Sequence, residues 1–318
     1  MTWMPFLCLA TGFFISMRNL TKRTLKVFDG VINVALVLLM LTIGMNIGIN
    51  DSVMSNLDSI GLNCLVISLS AIAFSVLFTV IIEKTVLPLE KLKEKISSEN
   101  ININSEIGIF QEEESKKSPL IWIMPLSIVI GVVFGYFIMP YTLIFILDYL
   151  LIGSLIILYT SVGISLGSNR KVFKYIKVLG FRVIYISIAI FFGSITGGFI
   201  AGTILGTPLH ISIMSASGMS YYSLTGAYMT QAYGIEWGTY GFVVNVMREF
   251  FTVLLLPLLI RISPGSPIAG GAAGNMDTML VPVTKFVGVE LGLVTLITGV
   301  ILTFAVPFIL PVLYSLFL

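Results

Sequence analysis

Charged residues are scarce in this sequence of 318 residues, and histidine and cysteine are scarcer still. Only 11% of the residues are charged, against about 25% in an average soluble domain, whereas 57% are hydrophobic. A soluble fold has too little interior to hide so much apolar surface. The composition therefore excludes a soluble enzyme, a nucleic-acid-binding protein and a disordered tail, and it predicts an all-α polytopic membrane protein.

The few cysteines and the single histidine exclude further classes. Cys8 and Cys64 both lie in apolar runs, which indicates neither a disulfide nor a metal site. An intramembrane serine protease requires a Ser–His pair, and only His210 is available. An intramembrane aspartyl protease requires two Asp in Gly-flanked membrane motifs, a pattern that Asp51 and Asp148 do not fit. We therefore expect neither an enzyme nor a bound cofactor.

What the sequence does contain is eight apolar runs that reach, or nearly reach, the roughly 20 residues of a transmembrane helix. They are residues 3–17, 31–49, 60–82, 119–139, 141–167, 178–206, 238–260 and 288–317. The first run is short, but it lacks a basic leader and a small-residue cleavage site. We interpret it as a span and not as a signal peptide, which gives eight predicted transmembrane helices.

The distribution of Lys and Arg predicts the orientation of these spans. The loops at 50–59, 140 and 207–237 contain neither residue, whereas nearly all basic residues lie in the loops of the other side. By the positive-inside rule the basic loops are cytoplasmic and both termini lie outside. Segment 89–117, which is polar and mixed in charge, is predicted to be a cytoplasmic linker.

An internal repeat is visible at an offset of 119 residues. Residues 43–51 (IGMNIGIND) align with 162–170 (VGISLGSNR), so that two glycines and one asparagine match in each copy. Each copy holds three spans, an odd number, and the second copy must therefore be upside down. We predict two inverted three-helix repeats, 1–88 and 118–206, of the kind that secondary transporters use.

A second, shorter repeat lies in residues 207–318 at an offset of 54. The motif YGIEWG at 233–238 matches VGVELG at 287–292. Each unit has one clear span, preceded by a segment rich in small and polar residues, 209–230 or 266–284. These segments fit re-entrant half-helices, one entering from each side of the membrane. Irregular backbone at that depth then requires protein or water around it. Interfacial helices lying flat on the membrane are the alternative.

Ionisable residues inside spans are costly and usually functional, and three polar residues stand out in the seventh span. Glu249 lies near its middle, Asn245 lies one turn earlier on the same face, and Arg248 points about 100° away. The alternative interpretation is structural, with Arg248 and Glu249 each satisfying a neighbouring helix.

Further candidates lie at the ends of spans and in the re-entrant segments. Asp51 ends a stretch rich in Gly and Asn, where it is either functional or a plain interfacial residue. Asn275 and Asp277 lie in the second re-entrant segment, where Asp277 could instead cap a helix. Ser217 and Gly218 lie in the first. Asp148, one or two turns inside the fifth span, is a secondary candidate.

Four stretches stand out. They are 44–57 (GMNIGINDSVMSNL), 216–226 (ASGMSYYSLTG), 245–250 (NVMREF) and 274–282 (GNMDTMLVP). Within them, the ASG-x-x-x-YSL-x-G run and the Arg-Glu pair of the seventh span are specific in combination. On these stretches the sequence resembles the LysO family of lysine exporters over essentially the whole chain. The resemblance implies eight spans, both termini outside, a bacterial plasma (inner) membrane, and export of L-lysine and its toxic analogue thialysine. It also implies two functional membrane acids, which match Asp51 and Glu249.

Export of lysine requires an energy source. Lysine is a cation, and moving one charge outward against the membrane potential costs about 2.3 kcal/mol per 100 mV. We therefore expect a secondary active transporter that couples export to inward H⁺ or Na⁺. Exchange of one proton for one lysine is electrically silent, and use of the potential requires at least two cations per lysine.

The candidate residues suggest roles in such a cycle. Glu249 would bind the lysine ammonium and the coupling cation alternately, because one carboxylate cannot hold both without crowding like charges. The α-carboxylate would meet Arg248 or free N–H groups near Ser217 and Gly218. Asn275 and Asp277 would hold a coupling sodium ion.

A sodium/proton exchanger with no amino-acid substrate remains the alternative, since discontinuous helices and intramembrane acids serve it equally well. Whether lysine, or only an ion, crosses the bilayer discriminates between the two. A simple cation channel would need a continuous polar pore. The expected partners are L-lysine and the lipid bilayer, with no nucleic acid, and a homodimer is an open expectation.

Overall fold

The computed structural model describes residues 4–17, 22–98, 118–140, 144–168 and 179–317, and no strand occurs among them. The α-helices are α1 (Met4–Met17), α2 (Lys22–Ile49), α3 (Asp51–Ser55), α4 (Leu57–Thr85), α5 (Leu89–Ser98), α6 (Ser118–Phe137), α7 (Ile144–Ser168), α8 (Ile184–Leu205), α9 (Leu209–Ala216), α10 (Tyr222–Tyr233), α11 (Ile235–Ile262), α12 (Gly265–Gly271), α13 (Leu280–Val287) and α14 (Val289–Phe317). Short 3₁₀ helices, Phe181–Val183 and Ala272–Met276, precede α8 and follow α12.

Six of the described helical segments are long and apolar enough to cross a membrane. They are Gly30–Ile49, Leu57–Thr85, Phe145–Ile164, Phe181–Leu205, Ile235–Ile262 and Glu290–Phe317. Two shorter apolar helices, Met4–Ser16 and Leu126–Phe137, coincide with the remaining two predicted runs. The protein is thus an all-α, multi-pass membrane protein, as predicted, while the count of eight spans and the side of the termini stay predictions.

The outer surface of the long helices is apolar as well as the core. Phe137 is 75% exposed, Ile204 73% and Leu258 55%. A soluble protein rarely exposes apolar surface so widely, whereas lipid tails solvate it. The helices are hydrophobic on all sides because one side meets lipid and the other meets protein.

The predicted linker 89–117 begins with structure. Its first ten residues form α5, an amphipathic helix in which Leu89 is fully buried. Lys93 Nζ donates a hydrogen bond of 3.2 Å to the Val287 carbonyl at the end of α13. Residues 99–117 lie outside the described residues.

Contacts between the helices follow the offset of the first repeat. The first helix of each three-helix unit packs against the second helix of the other, α1 on α7 and α6 on α2. Gly163 lies against the Leu9 carbonyl, and Gly44 lies against the Ile128 carbonyl. The two glycines are 119 residues apart in sequence (163 minus 44), and so are the two residues whose carbonyls they meet (128 minus 9). This exchange of partners supports the inverted repeat, which stays a prediction.

The third helices of the two units, α4 and α8, pack against each other in opposite directions. Gly193 contacts Ser75, whereas Gly197 contacts Ala71. The Oγ atoms of Ser75 and Ser194 are 3.1 Å apart in space and 119 residues apart in sequence. The two units therefore meet at equivalent positions.

Residues 209–233 form a helical hairpin, here called hairpin 1, in which residues 217–221 join α9 to α10. Helix α9 begins beside the end of α8 and packs back along it, since Gly202 contacts Leu209 and Gly198 contacts Ala216. Helix α10 then runs back along the first half of α11, where Gly226 contacts Phe242.

Hairpin 1 begins and ends on the same side of the bundle. Helix α11 runs parallel to α4, because Asn63 bonds Tyr240 near their starts and Ser75 bonds Arg248 farther along. Helix α8 runs antiparallel to α4. The end of α8 and the start of α11, which flank hairpin 1, therefore lie together.

Residues 265–287 form hairpin 2, which consists of α12, the 3₁₀ helix, a turn at 277–279 and α13. It begins near the end of α4, where the Gly265 N–H donates to Glu83 Oε2 at 3.2 Å. It passes Thr252 at Gly270, and it returns to Lys93 of α5 at Gly288. Hairpin 2 thus begins and ends on the side opposite to hairpin 1.

The tips of the two hairpins meet. The Ala273 N–H donates a hydrogen bond of 2.9 Å to the Met219 carbonyl. Met219, Ser220 and Ala272 have φ values of 48°, 76° and 48°, the left-handed region that residues with a Cβ seldom adopt. Such strain persists where the surrounding structure over-determines the conformation, and it is typical of functional sites.

Substitution of the interface glycines tests the equivalence of the two units. Gly44→Ala and Gly163→Ala should each lower the free energy of unfolding by about 1–3 kcal/mol, because the new Cβ meets a carbonyl of the neighbouring helix. Thermal unfolding of the purified protein in detergent measures the loss. Gly153→Ala is the control, since a Cβ there meets nothing within 4 Å. A loss at only one of the two interface glycines would contradict the equivalence.

Candidate functional site

Helix α11 carries the polar residues at the centre of the candidate site. Its 28 residues are mostly apolar, but Asn245, Arg248 and Glu249 interrupt them near the middle. Asn245 and Glu249 are four residues apart and share one face. The first contacts the tip of hairpin 1 and the second contacts the tip of hairpin 2.

Asn245 fastens the tip of hairpin 1 to α11. Its Nδ2 donates to the carbonyls of Gly241 at 2.7 Å and Ser215 at 2.9 Å, and its Oδ1 accepts the Ser220 N–H at 2.8 Å. The side chain is fully buried. Gly218 lies directly against this amide, where a Cβ would collide with it. Because Asn245 satisfies polar groups that the break in the helix releases, its contacts favour a structural role.

Glu249 is half-buried and faces the tip of hairpin 2. The Thr278 hydroxyl donates to Glu249 Oε1 at 3.0 Å and lies 3.3 Å from Asp277 Oδ1. Asp277 Oδ1 also accepts the Thr278 N–H at 2.6 Å. A hydroxyl has one proton, so Thr278 donates to one carboxylate at a time. The structure thus brings Glu249 and Asp277 together around one threonine, beside Gly274.

Arg248 is bound by protein groups on several sides. Its Nη1 donates to Ser194 Oγ at 2.8 Å, and its Nη2 donates to Ser75 Oγ at 3.0 Å. Its Nε donates to the Gly270 carbonyl at 3.2 Å, and Nη2 also donates to the Ala269 carbonyl at 3.1 Å. These four bonds occupy four of the five N–H groups of a guanidinium.

The charge of Arg248 is balanced by a helix end. The carbonyls of Ala269 and Gly270 belong to the last turn of α12, the negative end of its dipole. Arg248 is only 1% exposed, and no salt bridge to it occurs within the described part of the chain. These contacts favour the structural alternative for Arg248 over the predicted contact with a lysine carboxylate.

The N–H groups of Ser217 and Gly218 themselves are not free to bind an anion. The break folds into successive turns, and the N–H groups of residues 217–221 all donate to acceptors in the protein. The side chain of Ser217 is different, because its hydroxyl is fully buried and bonds no partner among the described residues. The N–H groups that a break leaves without an intrahelical acceptor lie farther on, in the first turn of α10.

Asn275 and Asp277 take different positions on hairpin 2. Asn275 is fully buried, its Nδ2 donates to the Ile268 carbonyl at 2.7 Å, and its Oδ1 is a buried acceptor with no partner within the described structure. Asp277 is exposed and belongs to the group around Glu249. The buried Oδ1 of Asn275 is therefore the candidate cation ligand of the pair.

Asp51 lies away from this group, in a cavity of about 410 Å³ at the end of α2. The lining residues are Asn46, Ile49, Asn50, Asp51, Asp148, Thr230, Gly234 and Ile235. Glu249 is not among them. Asp51 begins α3, whose N-cap Asn50 accepts the Val53 N–H at 3.0 Å. The structure places Asp148, from α7, in the same cavity as Asp51. In the sequence, Asp148 is distinguished only as a carboxylate within an apolar run.

Comparison with protein families identifies the chain. The family model described as "Lysine exporter LysO" matches residues 6–96 and 126–314, which is most of the chain. The protein belongs to the LysO family. No solved structure matches it.

Two relatives with lysine-exporter names match parts of the chain. The lysine exporter LysO of Escherichia coli strain K12 is 32% identical over 154 residues, which are 48% of this chain and 51% of that protein. A Haemophilus influenzae protein provisionally named as a lysine exporter is 26% identical over 156 residues, 49% of this chain and 80% of its own length. The chain thus spans about half the length of its E. coli relative.

A conservative substitution tests whether Arg248 stabilises the fold of this LysO protein. Lysine keeps the charge but lacks the planar fork, so Arg248→Lys should lose at least two of the four bonds and about 1–3 kcal/mol of the free energy of unfolding. Thermal unfolding in detergent measures this, with Arg261→Lys at the exposed end of α11 as the control. Unchanged stability together with weaker lysine binding would instead indicate that Arg248 binds the substrate.

Proposed function

We propose that the protein is a secondary active transporter that exports L-lysine, and basic analogues such as thialysine, from the bacterial cytoplasm by antiport with H⁺ or Na⁺. The observation that carries the proposal is Glu249, a half-buried carboxylate near the middle of α11 at the tip of hairpin 2. Intramembrane carboxylates are costly and are mostly found where cations bind or pass. Membership of the LysO family favours lysine as that cation.

The proposed topology places the basic loops in the cytoplasm and both termini outside a bacterial plasma (inner) membrane. Hairpin 1 then enters from the outside and hairpin 2 from the cytoplasm, each returning to its own side as a re-entrant segment. Backbone breaks are tolerated at membrane depth where protein satisfies their polar groups. The bonds of Asn245 to hairpin 1 and of Arg248 to hairpin 2 support this interpretation.

In the proposed cycle Glu249 binds a lysine ammonium on the way out and a coupling cation on the way in. The two occupants exclude each other, because one carboxylate does not hold two cations without repulsion between them. Thr278 adds a hydroxyl to the site and links Glu249 to Asp277, a second carboxylate that is exposed. Rocking of one part of the repeat-built helix bundle against another would expose this group to each side in turn.

The lysine α-carboxylate would meet the first turn of α10, near Ser223 and Leu224. Helix N-termini bind anions through backbone N–H groups that lack intrahelical acceptors. This first turn directly follows the break of hairpin 1, so it lies close to the meeting of the tips. The buried hydroxyl of Ser217 could add a further hydrogen bond.

A single substitution tests the proposed role of Glu249. Glu249→Gln should lower gradient-driven lysine release by at least about tenfold, because the amide is neutral and no longer attracts a cation. Proteoliposomes loaded with labelled lysine measure this under an imposed inward proton or sodium gradient. The matched control is Glu290→Gln in the first turn of α14, where the carboxylate complements the helix dipole.

The outcomes separate the two candidate functions. Release that the parent and Glu290→Gln show and Glu249→Gln loses would support the lysine antiporter. Normal transport by Glu249→Gln would overturn the role given to this residue. No lysine release by the parent, with intact exchange of Na⁺ for H⁺, would instead favour the ion exchanger.

A second substitution tests sodium as the coupling ion. The buried Oδ1 of Asn275 lacks a protein partner, and sodium is bound by such oxygens together with backbone carbonyls. If sodium binds there, Asn275→Ala should lose stimulation of lysine release by a sodium gradient, measured against choline as the replacement cation. Asn63→Ala, which removes an amide bonded to Tyr240, is the control. Equal responses to sodium in parent and Asn275→Ala would contradict the site.

A further inference from the structure

The cavity that contains Asp51 lies where three parts of the fold meet. Its wall is formed by the end of α2 with the start of α3, by the end of hairpin 1 with the start of α11, and by α7. Its volume of about 410 Å³ falls in the range of small-molecule sites, about 300–1,000 Å³. It opens on the side of the bundle where α11 begins, which is the outer side in the proposed topology.

Two carboxylates from separate elements share this cavity. Asp51 belongs to α3 and Asp148 to α7, and both are exposed to it. Two carboxylates that line one concave space favour an occupant that carries cationic groups. Carboxylates alone would not distinguish a ligand site from a solvated surface.

Asn46 provides an independent indication of a ligand. It lines the cavity although it is only 8% exposed. Its Nδ2 donates to the Thr42 carbonyl at 3.2 Å. Its Oδ1 accepts no hydrogen bond from the described residues and is therefore available to a donor inside the cavity. An ammonium group is such a donor.

The start of α11 adds a group of opposite character. Gly234 and Ile235 line the cavity, and they begin a helix of 28 residues. The first N–H groups of a helix have no intrahelical acceptors and attract anions. Gly234 has a φ of 92°, and a Cβ there would meet nothing within 4 Å. The Gly234 N–H donates to the Thr230 carbonyl, so the donors left for an anion are the N–H groups of the helix residues that follow.

We propose that this cavity is a second, outer binding site for a diamino acid, distinct from Glu249. Asp51 and Asp148 bind the two ammonium groups, with the terminal ammonium at Asp148. Asn46 accepts one further hydrogen bond, and the start of α11 binds the carboxylate. Asp148 is thereby a specificity-determining residue that selects amino acids with a second, terminal ammonium. The inference rests on the proposed export of lysine, for which this cavity is the site of release.

Binding of labelled lysine to purified protein tests the inference, with Glu249→Gln as the background so that the central site does not contribute. Asp148→Asn should raise the lysine Kd by at least about tenfold. Binding of norleucine, which has the same chain length but no terminal ammonium, should change little. Asp148→Glu keeps the charge and should retain most of the lysine affinity.

The matched control is Asp58→Asn, an exposed carboxylate in the first turn of α4 that does not line the cavity. Its lysine Kd should equal that of the background protein. Thermal unfolding of each variant identifies any loss of fold, in which case the comparison of Asp148→Glu with the background decides. The diamine cadaverine, which lacks the carboxylate, should bind more weakly than lysine if the start of α11 takes part.

The outcomes separate this inference from the proposed function. Equal lysine affinity of Asp148→Asn and the background would overturn the outer site while leaving lysine export by the parent intact. Equal losses for lysine and norleucine would overturn the role of Asp148 in specificity. A parent protein that releases no lysine from proteoliposomes would overturn the proposed function itself.

Discussion

The fold depends on hydrogen-bond partners for the backbone at the two hairpin tips, where helical structure is broken. Both tips lie against the middle of α11. In hydrocarbon each unpaired N–H or C=O costs several kcal/mol, so such breaks require partners within the protein. The tips satisfy each other in part through the bond from Ala273 to Met219. Helix α11 supplies further partners, Asn245 for hairpin 1 and Arg248 for hairpin 2. Of its three central polar residues, Glu249 is the one that makes no contact with these breaks through a backbone group, and it is the proposed ligand-binding residue.

The bonds of Arg248 also constrain how the protein can move. They connect α12 of hairpin 2 to Ser75 and Ser194, the pair at which the two three-helix units meet. Displacing α12 from α4 and α8 would strand a buried guanidinium, which is far costlier than sliding apolar surfaces past each other. These three helices therefore form the rigid part. In the proposed cycle, the motion that exposes Glu249 to either side is more easily carried by α1, α2, α6 and α7.

Hydropathy and repeat patterns predicted the positions of the helices and of both interrupted segments, because lipid imposes strong demands on length and composition. They did not predict which side chains meet. The partners of Arg248 lie 54 and 173 residues away, a separation that local periodicity does not encode. The acceptors at the break were not predicted either: the Ser217 and Gly218 N–H groups donate within the turns of the break, whereas the Ser220 N–H donates to the distant Asn245. Likewise, the sequence did not show that Asp148 and Asp51 line the same cavity.

The neighbouring charges of α11 bear on the coupling ratio of the proposed antiport. Arg248 keeps its positive charge, because the guanidinium is a very weak acid and the carbonyls of α12 stabilise it. With Glu249 ionised and empty, the two residues sum to zero. Binding of lysine or of one proton at Glu249 then gives the same net charge of one, so the loaded carrier has equal charge in both directions. Glu249 alone therefore supports an electrically silent exchange, which draws on a concentration gradient only. Use of the membrane potential requires a second acid that gains and loses a cation in the same cycle, and Asp277, linked to Glu249 through Thr278, is the carboxylate positioned for it.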